Sequence, residues 1–419
     1  MVLTNLYPPH FLGGYELKCK LHVEELRARG HDVHVLTSRW KAGQGKVTNK
    51  IHRLLYLNAE EESHASDKNL PDPLRLSRRC MQLKWAIAHR KNHNITRDLI
   101  MNLKPDIGYI WNMRDVGITP VLALQEQEIP LVFRLGDYWL ADLKYTLCLQ
   151  SSRLRRSYNA AIFGLYDFSK LDLRHLLTVS TALKRHYIEH GFQEQTITVI
   201  PNGVLSEFIL DAGDLEGTSA DQKEITIAQI GRIDPKKGVH IAIQALANLV
   251  NGRKHHNIHL EIIGKGSEHY TQELKAICRS LKLEKHVRFV GFMQHRQLLA
   301  RLPKYTAVVT PSLWEEPLAG IIAESMARGV PVIATNRGGS TEIISNGENG
   351  LIVAPGNPGE LAEAIERMVQ DHDLARSIRC AGLKTVQERY NHEKLMDQIE
   401  MQLQEAHHNY QHTDHAPNE

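Results

Sequence analysis

The chain has 419 residues, more than one ordinary hydrophobic core accommodates, so two domains or more are expected. It is 42% hydrophobic and 24% charged, and its net charge of +3 is too small to imply a nucleic-acid partner. The five cysteines (Cys19, Cys80, Cys148, Cys278, Cys380) are scattered with no C-x-x-C, which reads as a reduced, cytoplasmic protein without disulfides or a structural zinc site. No run of about 18 apolar residues offers a membrane-spanning helix, and the N-terminus lacks a signal-peptide pattern.

Val2-Leu3-Thr4 reads as a short first strand, followed by a loop carrying Pro8-Pro9 and Gly13-Gly14. Leu17, Leu21, Val23, Leu26 and Ala28 recur at helical spacing, Gly30 closes the helix, and Val33 to Thr37 is the next strand. This is a βαβ unit of a parallel sheet, and its first loop lies where open α/β sheets bind ligands. Gly13 and Gly14 suit either a tight turn or close approach of backbone N–H groups to an anion. Ile51 to Leu57 is another strand, and Glu60 to Pro73 a polar loop. Leu76, Cys80, Leu83 and Ile87 mark one face of a helix. Between Asp72 and Asp98 there is no acidic residue, so the 75–91 helix is basic and amphipathic. Such a helix suits a solvated face or an anionic membrane surface.

Pro105 to Trp111 and Pro130 to Leu135 are further strands, the second ending in Gly136-Asp137-Tyr138-Trp139, with Asp137 toward the ligand crevice. After strands at His175 to Ser180 and Thr196 to Ile200, Pro201-Asn202-Gly203-Val204 is a stop. Residues 205–222 are polar and irregular, and a second βα series then begins with Glu224 to Ile230. Its strand ends carry Gly231-Arg232, Gly264-Lys265-Gly266 and Gly338-Gly339. The expected domains are 1–203 and 204–385, with a helix over about 386–406 packing back on the first and a disordered tail over 407–419.

One stretch, Pro311 to Glu324, follows the apolar run Ala307-Val308-Val309-Thr310. Pro317 suits the first position of a helix, which puts Glu316 at the helix N-terminus and Glu324 eight residues on. On a continuous helix these are about 12 Å apart along the axis and about 80° apart around it. Acid/base pairs acting on one glycosidic bond stand roughly 5–9.5 Å apart, so the two glutamates suit one elongated ligand gripped at two places. Arg232 and Lys237 flank a neighbouring loop and suit a diphosphate, Arg by bidentate clamping and Lys as a point charge. Gly264 and Gly266 suit backbone approach to a ligand, and Gly338-Gly339 and the helix start add N–H donors. These positive groups would take over a metal's task of stabilising a leaving diphosphate.

With Gly231-Arg232…Lys237-Gly238 and Glu316…Glu324, the chain resembles a retaining glycosyltransferase of family 4 (glycosyl transferases group 1), over roughly residues 1 to 400. The resemblance implies the α/β GT-B fold, two Rossmann-like domains whose parallel sheets face across a cleft. It implies transfer of a sugar from a nucleotide-diphosphate sugar to a hydroxyl acceptor (glycan, lipid-linked or small molecule), with no metal and no cofactor beyond that co-substrate. Arg232, Lys237, Glu316 and Asp137 would be the catalytic group, with Arg232 and Lys237 on the diphosphate and Glu316 on the sugar hydroxyls. Glu324 would bind the ribose, and Gly13, Gly14, Gly231, Leu318, Ala319, Gly320 and Ile321 would lie along the donor. Gly264, Gly266, Arg288 and Phe289 would flank the nucleobase.

Two departures stand out. Relatives often carry a His before the Asp of Asp-Tyr-Trp, where this chain has Gly136, so another residue must serve or activity is reduced. Ala319 stands where relatives often have Gly, with Gly320 next. Other functions compatible with these residues are a nucleotide-sugar epimerase and a catalytically silent nucleotide-sugar-binding protein. The acceptor loops, Glu60–Asp72 and Trp139–Arg156, carry no legible code. A cytoplasmic location, peripheral to the inner membrane face through the 75–91 helix, completes the expectation.

Overall fold

The computed structural model describes residues 1–11, 13–41, 47–57, 75–148, 168–211, 213, 215 and 225–413, with backbone alone for 47–48, 75–85, 146–148 and 411–413. The loop expected over Glu60–Pro73 and much of the 205–222 segment lie outside the described residues. The chain divides into two compact units. The first comprises Met1–Val179, Leu183–Ile200 and Met396–Glu419, and the second Ser180–Ala182 and Pro201–Leu395.

In the first unit the described elements are β1 (Val2–Leu3), α1 (Gly14–Ala28), β2 (Val35–Ser38), β3 (Val47–Thr48), β4 (Ile51–Leu55), α2 (Arg75–Leu103), β5 (Gly108–Ile110), α3 (Thr119–Gln125), β6 (Leu131–Leu135), α4 (Trp139–Cys148), β7 (Leu176–Thr178), α5 (Thr181–Glu189, which begins in the second unit) and β8 (Ile197–Val199). The strands form one sheet in the order β3-β4-β2-β1-β5-β6-β7-β8, every pair parallel except β3 with β4. The order reverses direction between β1 and β5, which opens a crevice at their carboxyl ends.

The second unit holds β9 (Ile225–Ile230), α6 (Val239–Ala247), β10 (Ile258–Ile263), α7 (Glu268–Ser280), β11 (Val287–Gly291), α8 (His295–Arg301), β12 (Ala307–Thr310), α9 (Gly320–Ala327), β13 (Val332–Thr335), α10 (Ser340–Ile343), β14 (Leu351–Val353), α11 (Pro358–Gln370) and α12 (His372–Arg389). Its sheet is parallel, in the order β11-β10-β9-β12-β13-β14, with the reversal between β9 and β12. β12 shows why the strands read as unbroken apolar runs. Ala307 and Val309 enter one core cluster with Ile227 and Leu260, while Val308 enters another with Ala228 and Leu302 on the opposite face. A strand covered on both faces has no polar side to alternate.

Three expectations are corrected. The buried face of α1 is Glu16, Cys19, His22, Val23 and Leu26, so Leu17 and Leu21 lie off it. On α2 the described buried stripe is His89, Asn92, Thr96 and Ile100, and Ile87 is 48% exposed. Polar residues occupy both buried faces and hide them from an apolar periodicity. Residues 139–148, expected as loop, are helix α4; residues 149–156 lie outside the described residues.

The C-terminal helix is also redrawn. α12 stops at Arg389 and a new helix, α13 (His392–Thr413), follows. The break is built: the His392 N–H donates to the Val204 carbonyl at 2.9 Å, and the Asn391 side chain accepts from Lys394 N–H at 3.0 Å, capping α13. Residues 407–413 continue α13, so the helix outruns the expected end at 406; 414–419 lie outside the described residues. Among the described residues no helix is long and apolar enough to cross a membrane.

Within the first unit α13 is tied to α1 by charge. Arg29 pairs with Asp397 at 2.7 Å and Glu400 at 2.9 Å, besides Glu25 at 2.9 Å, and His31 meets Glu400 at 2.7 Å. Hydrogen bonds from Arg29 and then His31 hold the Glu400 carboxyl below its usual pKa. A carboxyl depressed on folding contributes stability above its unfolded value, about 4.3, and loses that contribution as pH falls through the folded value. Arg29→Met should therefore cost about 0.5–1 kcal/mol at neutral pH. It should also flatten the fall in stability below pH about 4.3, read from urea unfolding midpoints across pH 3–7. An unchanged acid limb would show that the cluster does not act on stability.

Candidate active site

The switch point of the second unit's sheet gathers the loops after β9 and β12. Gly238, with φ of +67°, turns the β9 loop into α6, and a Cβ there would overlap the Pro311 carbonyl. The Leu313 N–H donates to the Lys236 carbonyl at 2.8 Å and fastens the same two loops. This close seating puts Lys237 Nζ in an ion pair with Glu316 Oε1. The other carboxylate oxygen, Oε2, accepts from Ser312 Oγ at 3.0 Å and Trp314 Nε1 at 3.2 Å. Glu316 is 8% exposed, and three donors fix its orientation. Arg232 is exposed and has no ion-pair or hydrogen-bond partner among the described residues.

The second glutamate is reached differently than expected. α9 begins at Gly320, not Pro317, so Glu316 precedes the helix and the 12 Å spacing of a continuous helix does not apply. The reason is tertiary: the Glu316 carbonyl accepts from Gly339 N–H at 2.8 Å, which holds residues 316–319 in a non-helical path. Glu324, also 8% exposed, lies one turn into α9 and meets His295 Nε2 at 3.0 Å from the start of α8. Leu318 and Ala319 pack against a core cluster with Ile322, and Ile321 against another with Val308.

The glycines sort into two groups. Gly338 lies against the Glu316 backbone and Gly339 against the Pro317 carbonyl; their N–H groups donate to Glu315 Oε2 at 2.6 Å and to the Glu316 carbonyl. Those N–H groups are engaged internally rather than offered to a ligand. A Cβ at Gly264 would overlap the Gly231 carbonyl, and one at Gly266 the Ile233 carbonyl. These two glycines therefore serve loop-to-loop packing. Gly231 has φ of +140° and needs glycine for its backbone. By contrast, Gly13, Gly14 and Gly320 have no positive φ and no crowding within 3.8 Å of a built Cβ.

Arg288 and Phe289 are not brought together. They alternate along β11: Arg288 is 73% exposed and 3.5 Å from Glu261, while Phe289 packs against the core. Just past the end of β11, Phe292 is 52% exposed with Lys265 Nζ 5.5 Å from its ring centroid. The one D-x-D spelling in the chain, Asp371-His372-Asp373, stands at the start of α12, where Asp371 caps the helix by accepting from Leu374 N–H at 3.0 Å.

In the first unit Gly13 is the N-cap of α1, and its N–H donates to Glu16 Oε2 at 3.0 Å. Asp137 follows β6, accepting from Asn112 Nδ2 at 3.0 Å and Trp139 N–H at 3.2 Å; burial raises its carboxyl pKa. Gly136 is explained by Tyr15. A Cβ at 136 would run into the Tyr15 ring, whose hydroxyl donates to the Arg134 carbonyl and accepts from Gly136 N–H at 3.3 Å. The ring stands edge-on to Trp111 at 5.3 Å, and Trp111 in turn to His22 at 4.9 Å. The missing side chain at 136 is thus an exchange: a ring from α1 takes its room. Tyr15 and His295 carry no sequence signal, whereas Ser312 and Trp314 lie inside the motif around Glu316.

Two parallel-sheet, Rossmann-like domains, one with a cationic loop and a fixed carboxylate at its switch point, make up the GT-B fold. Family models cover most of the chain, Glycosyltransferase Family 4 over residues 12–208 and Glycosyl transferases group 1 over 214–385. The chain belongs to this family of glycosyltransferases. It is 25% identical over 407 residues to an uncharacterized glycosyltransferase of Methanocaldococcus jannaschii, covering 93% of this chain and 94% of that protein. It is 36% identical over 202 residues to glycogen synthase of Mycobacterium tuberculosis, covering 48% of this chain and 47% of that one. The fold matches that of Anabaena HepE, solved in complex with UDP and glucose, at a TM-score of 0.67 and 20% identity, over 96% of this chain and 98% of HepE.

Gly136→His should cost about 1–3 kcal/mol by overpacking against Tyr15. In a Tyr15→Ala background the same change should cost at least about 1 kcal/mol less. Guanidinium unfolding of wild type, both single variants and the double variant measures the coupling; strict additivity would show that the two positions do not share one space.

Proposed function

We propose that the chain moves a sugar from a nucleotide-diphosphate sugar to a hydroxyl acceptor, with retention at the anomeric carbon and without a metal. The observation that carries this reading is the Lys237–Glu316 pair with exposed Arg232, which has no partner among the described residues, on the same loop. A carboxylate oriented by three donors keeps lone pairs for sugar hydroxyls. Arg232 and Lys237 supply positive charge where a leaving diphosphate accumulates negative charge, the part a divalent cation plays elsewhere. Glu324, steadied by His295, is assigned the ribose hydroxyls. Gly13, Gly14 and Gly320, which no internal contact requires, suit close approach of the donor. The UDP and glucose named for HepE agree in chemistry with such a donor.

In this reading the leaving diphosphate takes the proton of the incoming hydroxyl on the face it departs from, so attack and departure share one side and configuration is kept. The protein's work is positional and electrostatic. Asp137, whose burial favours the protonated form, is assigned to the sugar or acceptor side. The basic stretch over 75–91 is assigned to an anionic bilayer on the cytoplasmic side, and failure to float with anionic liposomes at low salt removes that assignment.

A thermal-shift screen of nucleotide sugars should find one that raises the melting temperature. With that donor, Arg232→Ala should lower turnover by about two to three orders of magnitude. Near wild-type turnover would sink the site assignment, and inversion in the product's anomeric NMR coupling would sink retention.

A further inference from the structure

We infer that the first unit carries, at the carboxyl ends of β2 and β4, a subsite for an anionic saccharide: a hydroxyl-bearing acceptor with a phosphate or carboxylate group. Arg39 follows β2 and stacks on Tyr56, its guanidinium carbon 3.6 Å from the ring centroid. A guanidinium held over a ring by its positive charge keeps its N–H donors for other partners. Lys91, from α2, reaches the same ring at 5.3 Å. Beside them Lys41 Nζ lies 4.3 Å from the Trp40 ring, and His10 meets Trp40 at 6.4 Å, edge to face.

This edge is built rather than incidental. Buried Asn92 grips Tyr56 at both backbone groups, accepting from its N–H at 2.7 Å and donating to its carbonyl at 2.9 Å. The Arg39 N–H donates to the Leu55 carbonyl at 3.0 Å, locking the two strand ends together. Buried Arg53 donates to the carbonyls of Tyr7 and Pro8 at 3.0 and 2.6 Å and so supports the turn that presents His10. Arg39, Lys41 and Lys91 are exposed, and none has a carboxylate partner among the described residues. Arg29, by contrast, has three carboxylate partners. Cations with no carboxylate partner among the described residues, at the ligand-facing edge of a parallel sheet, favour an anion. Trp40 adds a flat apolar face for a sugar ring.

The inference rests on the transferase reading, but its test is binding to the full chain without any nucleotide sugar. Calorimetry should give glucose 6-phosphate, or glucuronate, at least about tenfold tighter binding than glucose. Arg39→Gln and Lys91→Gln should each remove most of that gain while leaving the melting temperature near wild type. Trp40→Ala should weaken glucose 6-phosphate more than inorganic phosphate. Vesicles with phosphatidylglycerol, set against phosphatidylcholine, distinguish a lipid-borne anion from a soluble one. Equal affinity for glucose and both charged probes, with no anionic-vesicle preference that Arg39→Gln removes, overturns the subsite; so does a preference that Arg39→Gln leaves intact. Glu60, Glu61 and Glu62 follow in sequence, outside the described residues. Anion binding that appears only when all three become Gln would mean these cations serve the chain's own acids, which also overturns it. Anion binding without any nucleotide-sugar response would sink the transferase reading and leave the subsite standing.

Discussion

Backbone lying directly on backbone is the constraint from which the second unit's site follows. At Gly238, Gly264, Gly266 and Gly338 a single added carbon would overlap a neighbouring main-chain oxygen. The loops after β9, β10, β12 and β13 therefore interlock at the carboxyl edge of one sheet. Their seating decides where Lys237 and Glu316 meet, and a shift of an ångström in either loop would part them. A site held by packed main chain needs little reorganisation when charge develops in it.

The first unit reaches the same end by other means. Its β6 loop is steadied by the Tyr15 ring, set edge-on against Trp111, which meets His22 and Tyr109 in the same way. Position 136 gives up its side chain so that this ring can close over it. What looks like a deletion in a motif is a substitution between two elements that lie far apart in the chain.

The βα alternation was legible because buried parallel strands are largely apolar runs stopped by glycine or proline, as at Ile225–Ile230 before Gly231 and Ala307–Thr310 before Pro311. The approach of the Lys237 loop to Glu316 was legible because strand ends of such a sheet converge. The start of α9 was not, since Pro317 states a local preference that the Gly339 N–H overrules at Glu316. The stripes on α1 and α2 were missed because His22, His89, Asn92 and Thr96 are buried. A glycine's letter gives no hint of what its missing side chain would meet, so the packing of Gly264, Gly266, Gly338 and Gly339 against neighbouring loops went unread. His295 and Tyr15 find their partners through folding alone.

The break at Tyr390–Asn391 has a consequence for how the chain is made. The second unit is complete at Leu395, whereas the first, emerging earlier, includes Met396 onward. During synthesis the first unit waits with Arg29 and His31 lacking their carboxylate partners on α13 while the whole second unit folds. α13 then closes the domain that emerged earlier, so a ribosome stalled short of residue 396 would release one finished domain and one unfinished.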